Sequence, residues 1–97
     1  MRVISVKTLK LFWEKHPDAE NPLRSWYTEA KKATWKSPQD IKAEYRTASI
    51  LRHSRVVFNI KGNTYRLVAA VKYEFQIVYI RFIGTDEAYD KINAEEI

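Results

Sequence analysis

Apolar residues recur at helical spacing in the first half of the chain and alternate with polar ones in the second. Val3 and Ile4 lie in a short stretch that predicts a strand. Leu9, Phe12 and Trp13 then fall at i, i+3 and i+4, which predicts a helix over Thr8 to Lys15. Pro17 stops it, because proline has no N–H to continue the ladder. Asn21-Pro22 predicts a second helix start, a capping side chain followed by a residue whose φ is already helical. Leu23, Trp26, Tyr27 and Ala30 give that helix a buried stripe, leaving Arg24, Lys31 and Lys32 outside it. A third short helix is expected at Ser37-Pro38, with Asp40 at capping-box spacing from Ser37.

From Arg55 the period becomes two. Val56, Phe58 and Ile60 take one face of a strand running to Lys61, and Arg55, Asn59 and Lys61 the other, with Val57 the exception. Gly62-Asn63 reads as a two-residue hairpin loop. Thr64 to Tyr73 is the return strand and Ile77 to Ile83 a third. The expected class is α+β: β-α-α, a short helical turn, then a three-stranded antiparallel meander with the helices on one face of the sheet. With that hairpin, Asn59 opposes Arg66 and Lys61 opposes Thr64. Asn59, Lys61, Arg66 and Lys72 therefore share one face by parity. Tyr65, Leu67, Val71, Phe58 and Ile60 share the other, under the helices. A slip of one residue would reverse this.

Composition narrows the function. A chain of 97 residues, 45% hydrophobic, suits one domain spanning 1–97. The absence of cysteine removes disulfides, thiolate nucleophiles and Cys-based zinc sites. No apolar run is long enough for a membrane span, and Met1 to Lys7 alternates instead of forming a leader's apolar stretch, so a cytoplasmic protein is expected. The net charge of +5 is concentrated: residues 21–72 hold eleven Lys or Arg and three acids, a net of +8, leaving −3 for the rest. A basic middle points to a polyanion partner, nucleic acid first, or else to a solvated surface. Arg24, Lys31, Lys32, Lys36, Arg55, Asn59 and Lys72 are the candidate RNA-binding residues.

His16 and His53 are the only histidines and neither has ligand spacing, so no metal or cofactor is expected. Two glycines do not make a phosphate loop. What remains is cations and phenols on a sheet. RNA cleavage can run on these, because the substrate's 2′-hydroxyl is the nucleophile. The protein must stabilise charge on the phosphorane and move two protons. Lys61 and Arg66 either do this or form an ordinary solvated face; spacing leaves both open. Trp13, Trp26 and Tyr27 read as core. Trp35, beside Lys36, stays a candidate for stacking a base.

The runs Arg55-Val56-Val57-Phe58-Asn59-Ile60-Lys61-Gly62-Asn63 and Tyr65-Arg66-Leu67-Val68 resemble the core signature of HigB-type toxins. Tyr79-Ile80-Arg81-Phe82-Ile83-Gly84-Thr85 with Tyr89-Asp90-Lys91 resembles that family's C-terminal signature. Leu23-Arg24, Trp26-Tyr27 and Ala33-Thr34-Trp35-Lys36 extend the likeness over nearly the whole chain. The resemblance implies a RelE-like fold and metal-independent mRNA cleavage, usually on the ribosome, with growth arrest. It also implies a neighbouring helix-turn-helix antitoxin (HigA-like), through which alone the toxin would reach operator DNA. It gives Arg66 the scissile phosphate, Lys61 charge stabilisation or proton transfer, and Tyr89 a place near the 2′-hydroxyl. The family commonly reads Gly-Thr-His where this chain has Gly84-Thr85-Asp86. A carboxylate thus replaces a group that can donate a proton near neutrality, and Asp86 becomes a candidate base. A catalytically weak relative that only binds RNA or antitoxin, and an unrelated interaction domain, are the competing readings.

Overall fold

The computed structural model describes residues 1–97. Its elements are β1 (Arg2–Ile4), α1 (Val6–Lys15), a 3-10 turn (Pro17–Ala19), α2 (Glu20–Lys32), α3 (Pro38–Glu44), β2 (Ser49–Ile50), β3 (Arg55–Ile60), β4 (Tyr65–Lys72), β5 (Ile77–Thr85) and α4 (Asp86–Tyr89). The strands form one mixed sheet in the order β1-β5-β4-β3-β2. β3, β4 and β5 make the expected antiparallel meander. β1 joins it parallel to β5, and β2 antiparallel to β3. The α+β class and the helices α1, α2 and α3 over one sheet face agree with the residue pattern; β2 and α4 have no counterpart in it.

Several local expectations are corrected. α2 starts at Glu20 on the heels of the 3-10 turn, so Asn21 lies inside it and does not cap it. Pro22 is tolerated because it sits in the first turn, where the N–H it lacks has no intrahelical partner. Asp40 accepts from the Lys36 N–H at 2.8 Å, while the Ser37 side chain caps nothing. The β3–β4 register is as expected, Asn59 opposite Arg66 and Ile60 opposite Tyr65. The loop is not two residues but four, Lys61 to Thr64. Lys61 and Gly62 both adopt left-handed φ, 53° and 65°. Lys61 thus leaves the strand before its parity can apply.

On the helix side, Leu9, Leu23, Trp26, Ala30 and Ile41 pack onto Val56, Phe58, Ile60, Tyr65, Leu67, Ala69, Val71, Val78 and Ile80. Trp26 and Tyr45 meet Phe58 edge-on at 5.3 and 5.1 Å between ring centroids. Trp35 also packs against Phe58 and is only 3% exposed, so it is core and has no face free to stack a base. In β5 the register jumps, Val68 facing Phe82 and Ala69 facing Ile80, which leaves Arg81 as a bulge. The bulge shifts parity, so that Val78, Ile80 and then Ile83 all point into this core.

The other face is not a bare cationic surface. Val57 and Val68 are buried there beneath Ala94, with Leu51, Phe82, Tyr89, Ile92 and Ile97 around them. The segment after α4 therefore lies across the middle of this face. Val57, the residue that broke the alternation, is explained: it serves a second, smaller apolar cluster. No helix is long and apolar enough to cross a membrane.

Candidate active site

Strand pairing places Asn59 beside Arg66 on the second face, at the end where the β3–β4 hairpin turns. β5 ends there too, and its partner residue opposite Arg66 is Gly84. A Cβ at Gly84 would come within 2.5 Å of the Phe82 ring, so the glycine is what lets that ring lie along the strand. The chain then turns sharply: Thr85 Oγ1 accepts the Ala88 N–H at 3.1 Å, starting α4 at Asp86. One turn delivers Asp86 and Tyr89 to the same place.

Arg66 is the centre of the resulting cluster. Its Nε and Nη2 each lie 3.0 Å from Asp86 Oδ1, and its Nη1 donates to Asn59 Oδ1. The guanidinium carbon stands 5.9 Å from the centre of the Tyr89 ring. Arg66 is mostly covered, 20% exposed, whereas Asp86 is 53% exposed. Ser49, Asn59, Asn63, Arg66, Asp86, Tyr89 and Asp90, with Val57 at the floor, line an open polar pocket of about 290 Å³. Such a pocket can take a phosphate against Arg66 and put the neighbouring ribose near a phenol and a carboxylate.

Of the residues expected to be catalytic, Arg66, Asp86 and Tyr89 are brought together and Lys61 is not. Lys61 Nζ pairs with Asp18 Oδ2 at 2.6 Å, and the Tyr65 hydroxyl donates to Asp18 Oδ1 at 2.5 Å. Those two bonds, the lysine's first, hold the Asp18 carboxyl below its usual range. Donating to that carboxylate, together with desolvation, raises the Tyr65 phenol. The left-handed turn at Lys61 is the reason: it sends the side chain toward Asp18 instead of along the Arg66 face.

The expected RNA-binding residues are scattered. Asn59 is in the cluster. Lys72 shares the face but lies exposed at the far end of β4. Arg55 is committed, with its Nε 2.9 Å from the Ile97 main-chain oxygen and its Nη1 2.8 Å from that of His53. Arg24, Lys31 and Lys32 stand on α2 and Lys36 just after it, in the helical layer. Arg24 pairs with Glu20 at 2.8 Å and lies over Trp13. The sequence pattern did not mark Ser49, Asn63 or Asp90 as pocket residues, nor Asp18 as the partner of Lys61. Asn63 carried only a signal of turn chemistry, and Asp90 only its place beside Tyr89. No group of three or more His, Asp or Glu side chains is placed to hold a metal ion.

A helix-backed sheet with a strand-borne arginine beside a tyrosine at the end of the short helix α4 accords with the RelE-like class of toxins. Residues 19–92 match the HigB toxin family, described as the RelE-like toxic component of a toxin–antitoxin system, and the chain belongs to that family. It is 33% identical over 96 residues to the mRNA interferase toxin HigB of Escherichia coli K12. The match covers 97% of this chain and 92% of that protein. The mRNA interferases HigB of Escherichia coli O157:H7 and Shigella flexneri match to the same extent.

Proposed function

We propose that this protein is an mRNA interferase, the toxin of a toxin–antitoxin pair, and that it cleaves mRNA at the pocket around Arg66. The observation that carries the reading is the guanidinium itself: mostly covered, fixed on a strand, and facing an open pocket beside Tyr89. In the reaction the 2′-oxygen bonds to the adjacent phosphorus and the bond to the 5′-oxygen breaks, giving a cyclic phosphate and a free 5′-hydroxyl. One proton leaves the 2′-oxygen and another reaches the departing 5′-oxygen. Arg66 stabilises the charge on the phosphorane. Tyr89 is the pocket's phenol for proton transfer. Lys61, at the hairpin, contacts the flanking backbone at most. The protein acts in the cytoplasm on mRNA held by the ribosome, whose RNA answers the basic helical layer. A HigA-like helix-turn-helix antitoxin neutralises it by covering the pocket or by keeping it off the ribosome, and operator DNA is met only through that antitoxin.

One observation favours a second reading. Asp86 stands where the family commonly has His and spends an oxygen on Arg66, which suits a slow relative that chiefly binds RNA or antitoxin. Induced expression in bacteria with mapping of mRNA 5′ ends separates the two. New 5′ ends that vanish with Arg66→Ala support the interferase. Growth arrest without new ends, or no arrest at all, supports the binding module.

A further inference from the structure

Arg66 has a long side chain with four flexible torsions, yet a guanidinium that stabilises a phosphorane must be aligned before the charge develops. Two side chains from different elements hold it. Asn59, across the β3–β4 ladder, takes one Nη1 hydrogen; Asp86, at the start of α4, takes the Nε hydrogen and pairs through the same oxygen with Nη2 at 3.0 Å. Neither Asn59 nor Asp86 belongs to an apolar cluster. A guanidinium carries five N–H groups. With the Nε hydrogen and one Nη1 hydrogen engaged, both terminal nitrogens keep N–H groups to offer, and the Tyr89 ring flanks the group.

We infer that Asn59 and Asp86 are positioning residues, a two-sided clamp that sets the plane of Arg66 so that the N–H groups left on its terminal nitrogens meet one phosphate. This rests on the proposed RNA cleavage at the same site. It gives Asp86 a use other than that of a base. The carboxylate orients the arginine, and the cost is repulsion of the incoming phosphate. Asp86 should therefore raise both kcat and KM, whereas Asn59, being neutral, should raise kcat alone.

The test uses the full chain, single-turnover cleavage of a defined mRNA on bacterial ribosomes, and ¹⁵N relaxation of the Arg66 Nε–H group. Asp86→Ala should lower both kcat and KM, with kcat falling on the order of tenfold to a hundredfold, the scale of a lost alignment. Asp86→Asn keeps an acceptor oxygen without the charge. It should lower KM likewise yet recover most of kcat, with the shape of the kcat–pH profile unchanged. Asn59→Ala should lower kcat with KM little altered, and it carries the test on another element if the Asp86 variants lose their fold by thermal melting. Relaxation should report a rigid Nε–H in the wild type, near the order parameter of about 0.85 of ordered backbone, and a looser one in both alanine variants. If Asp86→Asn is as slow as Asp86→Ala and the acid limb of the pH profile disappears, Asp86 is the proton acceptor and the clamp is wrong. Wild-type kcat in both alanine variants, or an Nε–H whose order ignores them, overturns it equally. If the wild type cleaves no RNA while the order of Arg66 still depends on both residues, it is the reading as an interferase that fails.

Discussion

Arg66 and Lys61 are both cations beside the same hairpin, and the structure gives them different surroundings. Arg66 is covered and bonded to groups lining a pocket; Lys61 is exposed and spends its charge on Asp18. Arg66→Ala should cut the cleavage rate by about 10²–10³, the usual loss for one charge-stabilising donor, while leaving the melting temperature near wild type. Lys61→Ala should cost less than about tenfold, since an exposed ion pair contributes little and the residue faces away from the pocket. Equal losses in the two variants, measured side by side on ribosome-bound mRNA, would put Lys61 back among the catalytic groups. The Asp18 bonds also make a statement about pH. A carboxyl depressed in the folded state stabilises the fold above its ordinary value of 3.8, and that contribution is lost as pH falls through the lower folded value. The raised Tyr65 phenol works in the opposite sense, its contribution complete below 10.0 and lost as pH rises past that value. Melting temperatures of wild type and Asp18→Asn should therefore differ by a constant amount from about pH 5 to 8 and begin to converge below about pH 4, the gap closing as pH falls through the lowered folded value. A gap that persists at about pH 2 would mean that the Asp18 bonds act through something other than its charge.

Elements decide what surrounds these residues, and here the second apolar cluster matters most. Tyr89 packs into it together with Ile92 and Ile97, over Val57 and Val68, and Ala94 closes it. The segment after α4 thus anchors the helix that carries both Asp86 and Tyr89. Ala94→Asp would put a carboxylate against two buried valines, at a cost of about 2–4 kcal/mol of stability. Because the segment is tied to Tyr89, cleavage should fall by about tenfold or more even at temperatures where the sheet stays folded. Unchanged cleavage with lowered stability would show that α4 holds its place without the segment. These features mark the limit of what the pattern of residues discloses. The Asn59–Arg66 pairing was legible because period two and a Gly-Asn turn fix a register together. The position of Lys61 was not, since a four-residue loop and a two-residue loop can end the same ladder, and lysine has no special preference for φ of 53°. Val57 looked like a flaw in the alternation because its partner, Ala94, lies 37 positions away in a stretch with no period of its own. α4 is a single turn, too short for any repeat, and its start is set by the Thr85 hydroxyl. Arg81 shows the reverse: the bulge makes Ile80 and Ile83 share a face, which strict alternation forbids.

At the scale of the whole molecule, the charge that looked like one surface is divided between two. Arg66 and Lys72 belong to the sheet face opposite the helices. Lys31 and Lys32, at the end of α2, are exposed in the helical layer, where Lys31 lies 5.8 Å over the Tyr27 ring. A single RNA strand entering the pocket has no reason to reach both sides of a sheet. A partner that surrounds the toxin does, and the RNA of the ribosome invoked in the proposed function would be such a partner. The two surfaces should then separate in experiment. Paired substitutions Lys31→Glu and Lys32→Glu should weaken binding to ribosomes and flatten its dependence on salt, by roughly one unit of log–log slope for each phosphate no longer neutralised. The same variant should cleave a short free RNA at the wild-type rate if free RNA is a substrate at all, because the pocket and its arginine are untouched. Arg66→Ala should do the opposite, keeping most of the ribosome affinity and its salt slope while losing the chemistry. If the paired variant binds ribosomes with an unchanged slope, the helical layer is an ordinary solvated surface. The electrostatic footprint then lies on the sheet face, where Lys72→Glu is the next substitution to measure.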